Sequence, residues 1–153
     1  MKTLVVYYSR TGTTKKVGKK IGQMLKCDSE EIIDAKNRKG ALGYTRSGKE
    51  AMLKKCPKIK PIKKNPAKYD LVIIGTPVWF FTMASPVRTY LSKNKFKKVA
   101  FFLTMHGSGD RKTFKAMQRV CKKKPVSVLS LTMKEVKNGD YIPKIKQFIK
   151  TMG

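Results

Sequence analysis

The sequence predicts an α/β fold: a doubly wound parallel sheet of five strands in the order 2-1-3-4-5, with helices on both faces, in three layers. Two observations favour this fold. Short apolar segments alternate with amphipathic helical patterns along the whole chain. Two of these segments are continuously apolar, which is typical of strands buried on both faces. Because the chain has 153 residues, 41% of them hydrophobic, we expect one domain over residues 1–153.

The five strands are expected near residues 2–8, 29–33, 70–75, 98–104 and 126–131. Leu71–Ile74 and Val99–Leu103 are the continuously apolar runs, so the third and fourth strands should lie inside the sheet. The second and fifth strands are more polar and should form its edges. In this order the winding reverses between the first and third strands, so we expect a ligand in the crevice beyond their carboxyl ends.

A helix is predicted after each strand. Ser47-x-x-Glu50 has the spacing of a capping box, so the second helix should begin there, after a long surface loop at Asn37–Arg46. Ser85 is expected to be the N-cap of the third helix, with Pro86 in its first helical position. Apolar stripes that should face the core mark the first, fourth and last helices: Val17, Ile21, Met24 and Leu25; Phe114, Met117, Val120 and Cys121; Ile142, Ile145, Phe148 and Ile149.

The loop Ser9–Thr14, between the first strand and its helix, has the composition of a phosphate site. It contains four hydroxyl side chains, one Arg and Gly12, which allows the backbone to approach a ligand closely. A helix start also presents unpaired N–H groups and the positive end of the peptide dipoles. The loop is neither a Walker loop nor G-x-G-x-x-G. The alternative is an ordinary connection in which the Thr residues cap the helix.

Two further loops follow strands at the same edge of the predicted sheet. After the third strand, Trp79, Phe80 and Phe81 are three adjacent aromatic residues that suit a flat ligand ring, although they equally fit packing on the core or a subunit contact. After the fourth strand, the segment Thr104–Asp110 contains two glycines and His106. A single His cannot form a metal site, and it has no visible partner for a catalytic dyad, so it either lines the pocket or caps its loop.

The formal net charge of +27 is extreme, with 36 basic residues against 9 acidic ones. Between Asp34 and Asp70 the chain carries 12 basic residues and only one acidic residue, Glu50. Such a charge attracts acidic proteins, nucleic acid, anionic lipid or anionic cofactors. The chain lacks the motifs of a nucleic-acid reader, so no specific nucleic acid is predicted. The other interpretation is a solvated basic surface with no dedicated partner.

The three cysteines, Cys27, Cys56 and Cys121, are widely spaced and odd in number, which argues against a disulfide framework and against a zinc site. A reducing cytoplasm is therefore the expected location. The longest run without charge, Leu71–Val87, is shorter than the ~20 residues that cross a bilayer, so no membrane span is predicted.

Together the three loops resemble the flavodoxin family. In that family's signature a strand ends at an aromatic residue, followed by S-x-x-G-x-T and a helix. The matching residues are Tyr7, Ser9, Gly12, Thr14 and Ile21, with Gly18 where the family usually has Ala. Two further segments resemble the second and third flavin loops of short flavodoxin-like proteins: Gly75–Trp79 and His106–Gly109.

The resemblance implies an FMN site, with no catalytic residue and no metal ligand assigned. The residues implied for the phosphate are Ser9, Arg10, Thr11, Gly12, Thr13 and Thr14. Those implied for the ribityl chain and one flavin face are Thr76, Pro77, Val78, Trp79 and Phe80, with Trp79 as the stacking ring. Those implied for the pyrimidine side are Thr104, Met105, His106, Gly107, Ser108 and Gly109.

Three functions are compatible with this site. The favoured one is an electron carrier that passes electrons through FMN between protein partners, with the basic surface of Lys36–Lys68 docking an acidic ferredoxin-like or reductase-like protein. The second is an FMN-dependent oxidoreductase that takes a hydride from NAD(P)H and passes it to a quinone or similar acceptor. The third is a binding module for polyanions that reuses the fold, which leaves the three loops unexplained.

Overall fold

The computed structural model describes residues 1–35 and 40–153 of the chain. The strands are β1 Thr3–Tyr7, β2 Asp28–Glu31, β3 Leu71–Trp79, β4 Thr82–Met83, β5 Val99–Met105 and β6 Val128–Thr132. The helices are α1 Thr13–Leu25, α2 Gly40–Met52, α3 Ser85–Lys93, α4 Asp110–Cys121, α5 Met133–Asn138 and α6 Tyr141–Thr151, with a short 3₁₀ helix at Pro66–Lys68.

The five longer strands form a parallel sheet in the order β2-β1-β3-β5-β6. This is the predicted order 2-1-3-4-5, which is therefore confirmed. The short strand β4 was not predicted. It pairs antiparallel with the end of β3, where Val78 lies opposite Met83 and Trp79 lies opposite Thr82. The third strand thus continues past the sheet and folds into a hairpin at its carboxyl end.

Side chains alternate between two cores along each inner strand, as the pleat requires. In β1, Leu4 and Val6 belong to one core, and Val5 and Tyr7 to the other. The first core is covered by residues of α2, α3 and α4, and the second by residues of α1, α5 and α6. The predicted three-layer arrangement is therefore confirmed.

The second helix begins at Gly40, not at Ser47, so the predicted capping box is wrong. Ser47 lies inside α2 and donates its hydroxyl to the carbonyl of Gly43 at 2.7 Å, a bond typical of a mid-helix serine. The Glu50 carboxylate reaches another helix, where it accepts from the Ser85 hydroxyl at 3.1 Å. The part of the predicted loop from residue 40 to 46 is therefore helical, whereas residues 37–39 lie outside the described part of the chain.

The third helix begins one residue earlier than predicted. Ala84 is its N-cap and Ser85 is its first residue, and no side chain caps it. A complete capping box occurs instead at α5. There Glu135 donates its N–H to Thr132 Oγ1, and Thr132 donates its N–H to Glu135 Oε1, both at 3.1 Å. This box starts α5 directly where β6 ends, at the same edge of the sheet as the loops that follow the inner strands.

Carboxylates of the chain serve to fix its own backbone and side chains. Glu30 accepts the N–H groups of Lys63 at 2.6 Å and Lys64 at 2.9 Å. Asp70 accepts the N–H of Lys2 at 2.7 Å, and this bond lowers the pKa of Asp70. The basic side chains greatly outnumber these carboxylates, so the folded surface remains strongly positive. Within the described ranges, no helix combines the length and apolar character needed to cross a membrane.

Candidate functional site

A cleft that is open to solvent lies at the carboxyl end of the sheet. The loop after β1 forms one side, and the β3–β4 hairpin and the end of β5 form others. It therefore occupies the predicted crevice, where the winding of the sheet reverses between β1 and β3. The residues that line it are Ser9, Arg10, Thr11, Thr13, Thr14, Ser47, Gly48, Pro77, Val78, Trp79, Phe80, Thr104, Met105, His106 and Met133.

The loop before α1 leaves the backbone N–H groups at the start of the helix without a side-chain cap. Gly12 is the N-cap of α1 at φ 106°, a conformation that side chains disfavour, and no side-chain hydrogen bond caps the helix. The Ser9 hydroxyl oxygen accepts the Gly12 N–H at 2.9 Å and so closes the loop on itself. The alternative in which the Thr residues cap α1 is therefore wrong. The first-turn N–H groups of this helix remain available to an anion in the cleft.

Two buried hydroxyls connect this loop to the sheet. Thr14 Oγ1 lies 2.8 Å from Thr104 Oγ1, and each side chain is only 2% exposed. Thr14 is in the first turn of α1 and Thr104 is in β5, 90 residues away along the chain. Both residues belong to the cleft lining. The hydrogen bond thus fixes the start of α1 against a central strand at the bottom of the cleft.

The two lysines in the first turn of α1 each contact another group. Lys15 Nζ lies 3.0 Å from the Glu31 carboxylate, and this hydrogen bond raises the pKa of Lys15. Lys16 Nζ lies 5.7 Å from the ring centroid of Tyr141. Because these contacts account for both lysines next to the positive end of a helix, their positions carry no information about an anion in the cleft.

The β3–β4 hairpin turns at Phe80 and Phe81, which have positive φ angles of 48° and 60°. Two-residue turns with positive φ at both positions normally use Asn-Gly or Gly-Gly, because a side chain in this conformation costs about 1–2 kcal/mol. Both rings are also more than half exposed, at 58% and 56%. The hairpin tip is therefore a strained and exposed aromatic pair at the mouth of the cleft.

Glycines on two helices accommodate these rings. A Cβ on Gly48 of α2 would lie 2.3 Å from Phe80 Cε2. A Cβ on Gly109, the N-cap of α4, would lie 3.2 Å from Phe81 Cδ1 and 3.0 Å from Val78 Cγ1. The hairpin is thus packed between α2 and α4, and this packing holds the strained turn in place.

Trp79, at the last position of β3, is largely buried on one side by Tyr8. The two ring centroids lie 5.5 Å apart with their planes at 90°, an edge-to-face contact that favours a fixed indole orientation. Trp79 is 8% exposed and lines the cleft. The first of the three adjacent aromatics is therefore a rigid wall of the cleft, whereas the other two form the exposed tip.

The structure brings most of the predicted site residues to the cleft but leaves five outside its lining: Gly12, Thr76, Gly107, Ser108 and Gly109. Thr76 is completely buried, where it donates its hydroxyl to the Pro77 carbonyl at 2.8 Å and accepts the Ala84 N–H at 3.0 Å. The bond to Ala84 joins β3 to the residue that follows β4 and so supports the hairpin. Gly12 and Gly109 shape the backbone as N-caps at positive φ.

Three lining residues were missed: Ser47, Gly48 and Met133. Met133 follows Thr132, and the spacing Thr132-x-x-Glu135 was a readable helix start at the carboxyl end of a strand. No local signal places Ser47 and Gly48 at the cleft, because their position depends on how α2 packs on the hairpin. In the described part of the chain, no group of three or more His, Cys, Asp or Glu side chains is arranged to hold a metal ion.

Comparison with known proteins agrees with the resemblance to the flavodoxin family. A family model described as Flavodoxin matches residues 2–140. The solved structure of a Bacteroides uniformis protein described as a flavoprotein superposes with a TM-score of 0.81 at 27% identity, covering 97% of both chains. A flavoprotein from Lactobacillus acidophilus, solved in complex with FMN, gives 0.72 at 26% identity and covers 90% of this chain and 97% of its own.

A flavodoxin from the domain Archaea covers 100% of both chains with a TM-score of 0.54, and at 16% identity this likeness concerns the fold alone. No curated protein sequence matches the chain significantly. The family model spans all the described strands and all three loops that surround the cleft. The chain belongs to the flavodoxin family.

Proposed function

We propose that this protein is an electron carrier of the flavodoxin type, which holds FMN in the cleft and exchanges electrons with acidic protein partners. The observation that carries the proposal is the hairpin tip: two exposed aromatic rings at the mouth of the cleft, on a surface with a net charge of +27. An apolar centre surrounded by charge is the usual composition of a transient docking surface.

The predicted cofactor, FMN, is confirmed by membership of the flavodoxin family and by the FMN complex of the Lactobacillus acidophilus relative. The residues present fit this group, because the start of α1 lacks a side-chain cap and Gly12 adopts a conformation that leaves the backbone accessible. FMN supplies the electron chemistry when it is bound.

We assign the phosphate of FMN to the loop Ser9–Thr14. The free first-turn N–H groups of α1 and the hydroxyls of this loop are donors, and the helix dipole favours an anion at this end. The flavin ring is assigned to the apolar part of the lining, between the hairpin residues Pro77–Phe80 and the segment from Thr104 to His106. In this placement Trp79 provides a rigid aromatic wall, since Tyr8 fixes its ring.

An acidic partner fits the charges around the tip. Lys112 Nζ lies 5.8 Å from the ring centroid of Phe81, so one cation already lies beside the aromatic pair. Several of the chain's own carboxylates are occupied: Asp28 accepts from the Tyr69 hydroxyl, and Glu30 and Asp70 accept backbone N–H groups. The basic residues between positions 40 and 68 extend the positive field, which steers an acidic protein toward the tip.

The test measures electron transfer from a reduced, acidic [2Fe–2S] ferredoxin to the FMN-loaded protein by stopped flow. The second-order rate should fall steeply as ionic strength rises, because screening shortens the range of attraction from about 10 Å at 0.1 M salt to about 3 Å at 1 M. A basic cytochrome c serves as the matched control, and its rate with the reduced protein should rise with salt. Rates with ferredoxin that do not change with salt contradict the proposed docking.

Direct reduction of the flavin by NADH or NADPH separates the carrier from the alternative. The alternative is an FMN-dependent NAD(P)H oxidoreductase that acts on quinones or similar acceptors. The carrier predicts no bleaching of the flavin absorbance within seconds of mixing with NADH or NADPH, whereas dithionite bleaches it. Rapid bleaching by either nucleotide, followed by reoxidation with a quinone, favours the oxidoreductase.

A further inference from the structure

We propose that Thr104 is a positioning residue for the phosphate of the cofactor. When an anion is bound at the start of α1, the Thr104 hydroxyl donates to Thr14, and this bond directs the Thr14 proton toward the anion. The inference rests on the proposed placement of the phosphate in the loop Ser9–Thr14. It changes the role expected for Thr104, from bordering the flavin ring to acting through another side chain.

The geometry isolates the pair from water. Both side chains are 2% exposed, and their oxygens are 2.8 Å apart, a normal distance for a bond between hydroxyls. Thr14 is the second residue of α1, next to the first-turn N–H groups that carry no side-chain cap. Thr104 is fixed by the sheet, where it lies between Pro77 of β3 and Leu131 of β6. A rigid strand therefore supports a side chain at the anion site.

The direction of the hydrogen bond follows from counting protons. A hydroxyl has one proton to donate and two positions at which to accept, so in the isolated pair either threonine can be the donor. An anion can only accept. When Thr14 donates its hydrogen bond to an anion, the proton between the two threonine oxygens has to come from Thr104. The resulting hydrogen-bond chain runs from Thr104 to Thr14 to the anion.

This hydrogen-bond chain couples Thr104 to the phosphate, although the two are not in contact. Donation by Thr104 polarises the Thr14 hydroxyl, which strengthens the bond that Thr14 donates. It also keeps the Thr14 side chain in one rotamer, so less freedom is lost when the anion binds. A ligand without a phosphate, such as riboflavin, gains nothing from either effect.

The test compares FMN with riboflavin in titrations of the apoprotein, followed by quenching of flavin fluorescence. Thr104→Val keeps the shape and removes the hydroxyl. We expect FMN to bind about 3- to 10-fold more weakly, the range of one neutral hydrogen bond, while the riboflavin dissociation constant changes by less than about twofold. Thr104→Ser keeps the donor and should restore most of the FMN affinity.

A double-mutant cycle tests the order of the chain. If Thr104 acts through Thr14, then Thr14→Val removes both contributions, and adding Thr104→Val weakens FMN binding no further. The matched control is Thr89→Val, which removes a buried hydroxyl that donates to the Pro57 carbonyl at 2.7 Å outside the cleft lining. It should leave the ratio of FMN to riboflavin affinity unchanged.

Three results overturn the inference: equal losses for FMN and riboflavin in Thr104→Val, independent effects of the two substitutions, or no rescue by Ser. Thermal melting of each apoprotein identifies a variant that has lost its fold, in which case Thr104→Ala replaces Thr104→Val in the same cycle. If the unsubstituted protein binds riboflavin as tightly as FMN, the placement of the phosphate itself fails. An FMN-to-riboflavin affinity ratio that is unchanged in Thr104→Val contradicts only the role of Thr104.

Discussion

The loop Ser9–Thr14 and the tip of the β3–β4 hairpin lie at the same cleft but are stabilised in different ways. The loop is closed by its own short-range contacts, since the Ser9 hydroxyl oxygen accepts the N–H of Gly12 three residues on, and Gly12 has open space around its missing side chain. The tip places two phenylalanines in conformations that they disfavour and depends on helices far away in the sequence to hold them. The closure of the loop from Ser9 to Gly12 is thus encoded locally, whereas the conformation of the tip depends on tertiary packing.

The largest expected difference comes from two glycines that occupy the same position in their helices. Gly12 and Gly109 are the N-caps of α1 and α4, with φ of 106° and 103°. Gly12→Ala should destabilise the apoprotein by about 1–3 kcal/mol, the cost of strained backbone alone. Gly109→Ala should cost more, because its Cβ would also lie 3.3 Å from the backbone of Phe81 and 3.0 Å from Val78.

Urea denaturation of the two apoprotein variants measures this difference. Substitution of a surface residue outside both regions, such as Lys137→Ala, provides the baseline for ordinary surface changes. Equal losses for the two glycine variants would contradict the claim that tertiary packing constrains the hairpin more tightly than the loop.

A smaller effect is expected from relaxing the turn itself. Phe81→Gly removes a side chain from a residue at φ 60°, which should recover about 1 kcal/mol of backbone strain. The lost contacts at Gly109 offset this gain, so the free energy of unfolding should change by less than about 1 kcal/mol. The rate of electron transfer with the acidic ferredoxin should nevertheless fall, because one of the two aromatic rings of the tip is lost. An unchanged rate removes the tip from the docking surface.

The smallest expected effect is that of acid on these two regions. Neither Ser9–Thr14 nor the hairpin contains a carboxylate, so the loss of stability at low pH should arise elsewhere in the fold. The hydrogen bond from Lys144 lowers the pKa of Glu135, and the Lys2 N–H lowers that of Asp70. These carboxylates therefore stabilise the fold fully above their ordinary pKa values of 4.5 and 3.8. That contribution is lost as the pH falls through the lowered values of the folded state.

Urea midpoints between pH 6 and pH 3 check this sign. The unsubstituted protein and both glycine variants should lose stability in parallel, whereas Asp70→Asn should lose less on acidification. A gap between Gly12→Ala and Gly109→Ala that changes with pH contradicts the assignment of the acid effect to sites elsewhere in the fold.

The sequence predicted those features that depend on local chemistry. The apolar runs Leu71–Ile74 and Val99–Leu103 identify inner strands, and the hydroxyl-rich segment Ser9–Thr14 identifies the start of α1 at the cleft. The strand order followed from the alternation of strands and helices together with the general rules for doubly wound sheets. These patterns were reliable because the residue types within each segment indicate burial on both faces or a helix start, even though its partners lie elsewhere in the chain.

Features that depend on contacts between distant segments could not be predicted in this way. Ser47-x-x-Glu50 satisfies the pattern of a helix start, yet Glu50 accepts a hydrogen bond from Ser85 on another helix. Phe80-Phe81 is the opposite of the usual sequence for a tight turn, so the hairpin gave no local signal. Thr132-x-x-Glu135 differs from these two cases, because its capping box is formed locally and is visible in the sequence. It marks the start of the helix that brings Met133 to the cleft.

The visible spectrum of the purified protein, supplied with FMN and freed of excess by gel filtration, tests the central claim most directly. We expect flavin absorbance bands that remain with the protein, bleach with dithionite and persist when NADH or NADPH is added instead. A protein fraction with no flavin bands contradicts the assignment of the cleft to FMN, and immediate bleaching by either nucleotide contradicts the carrier.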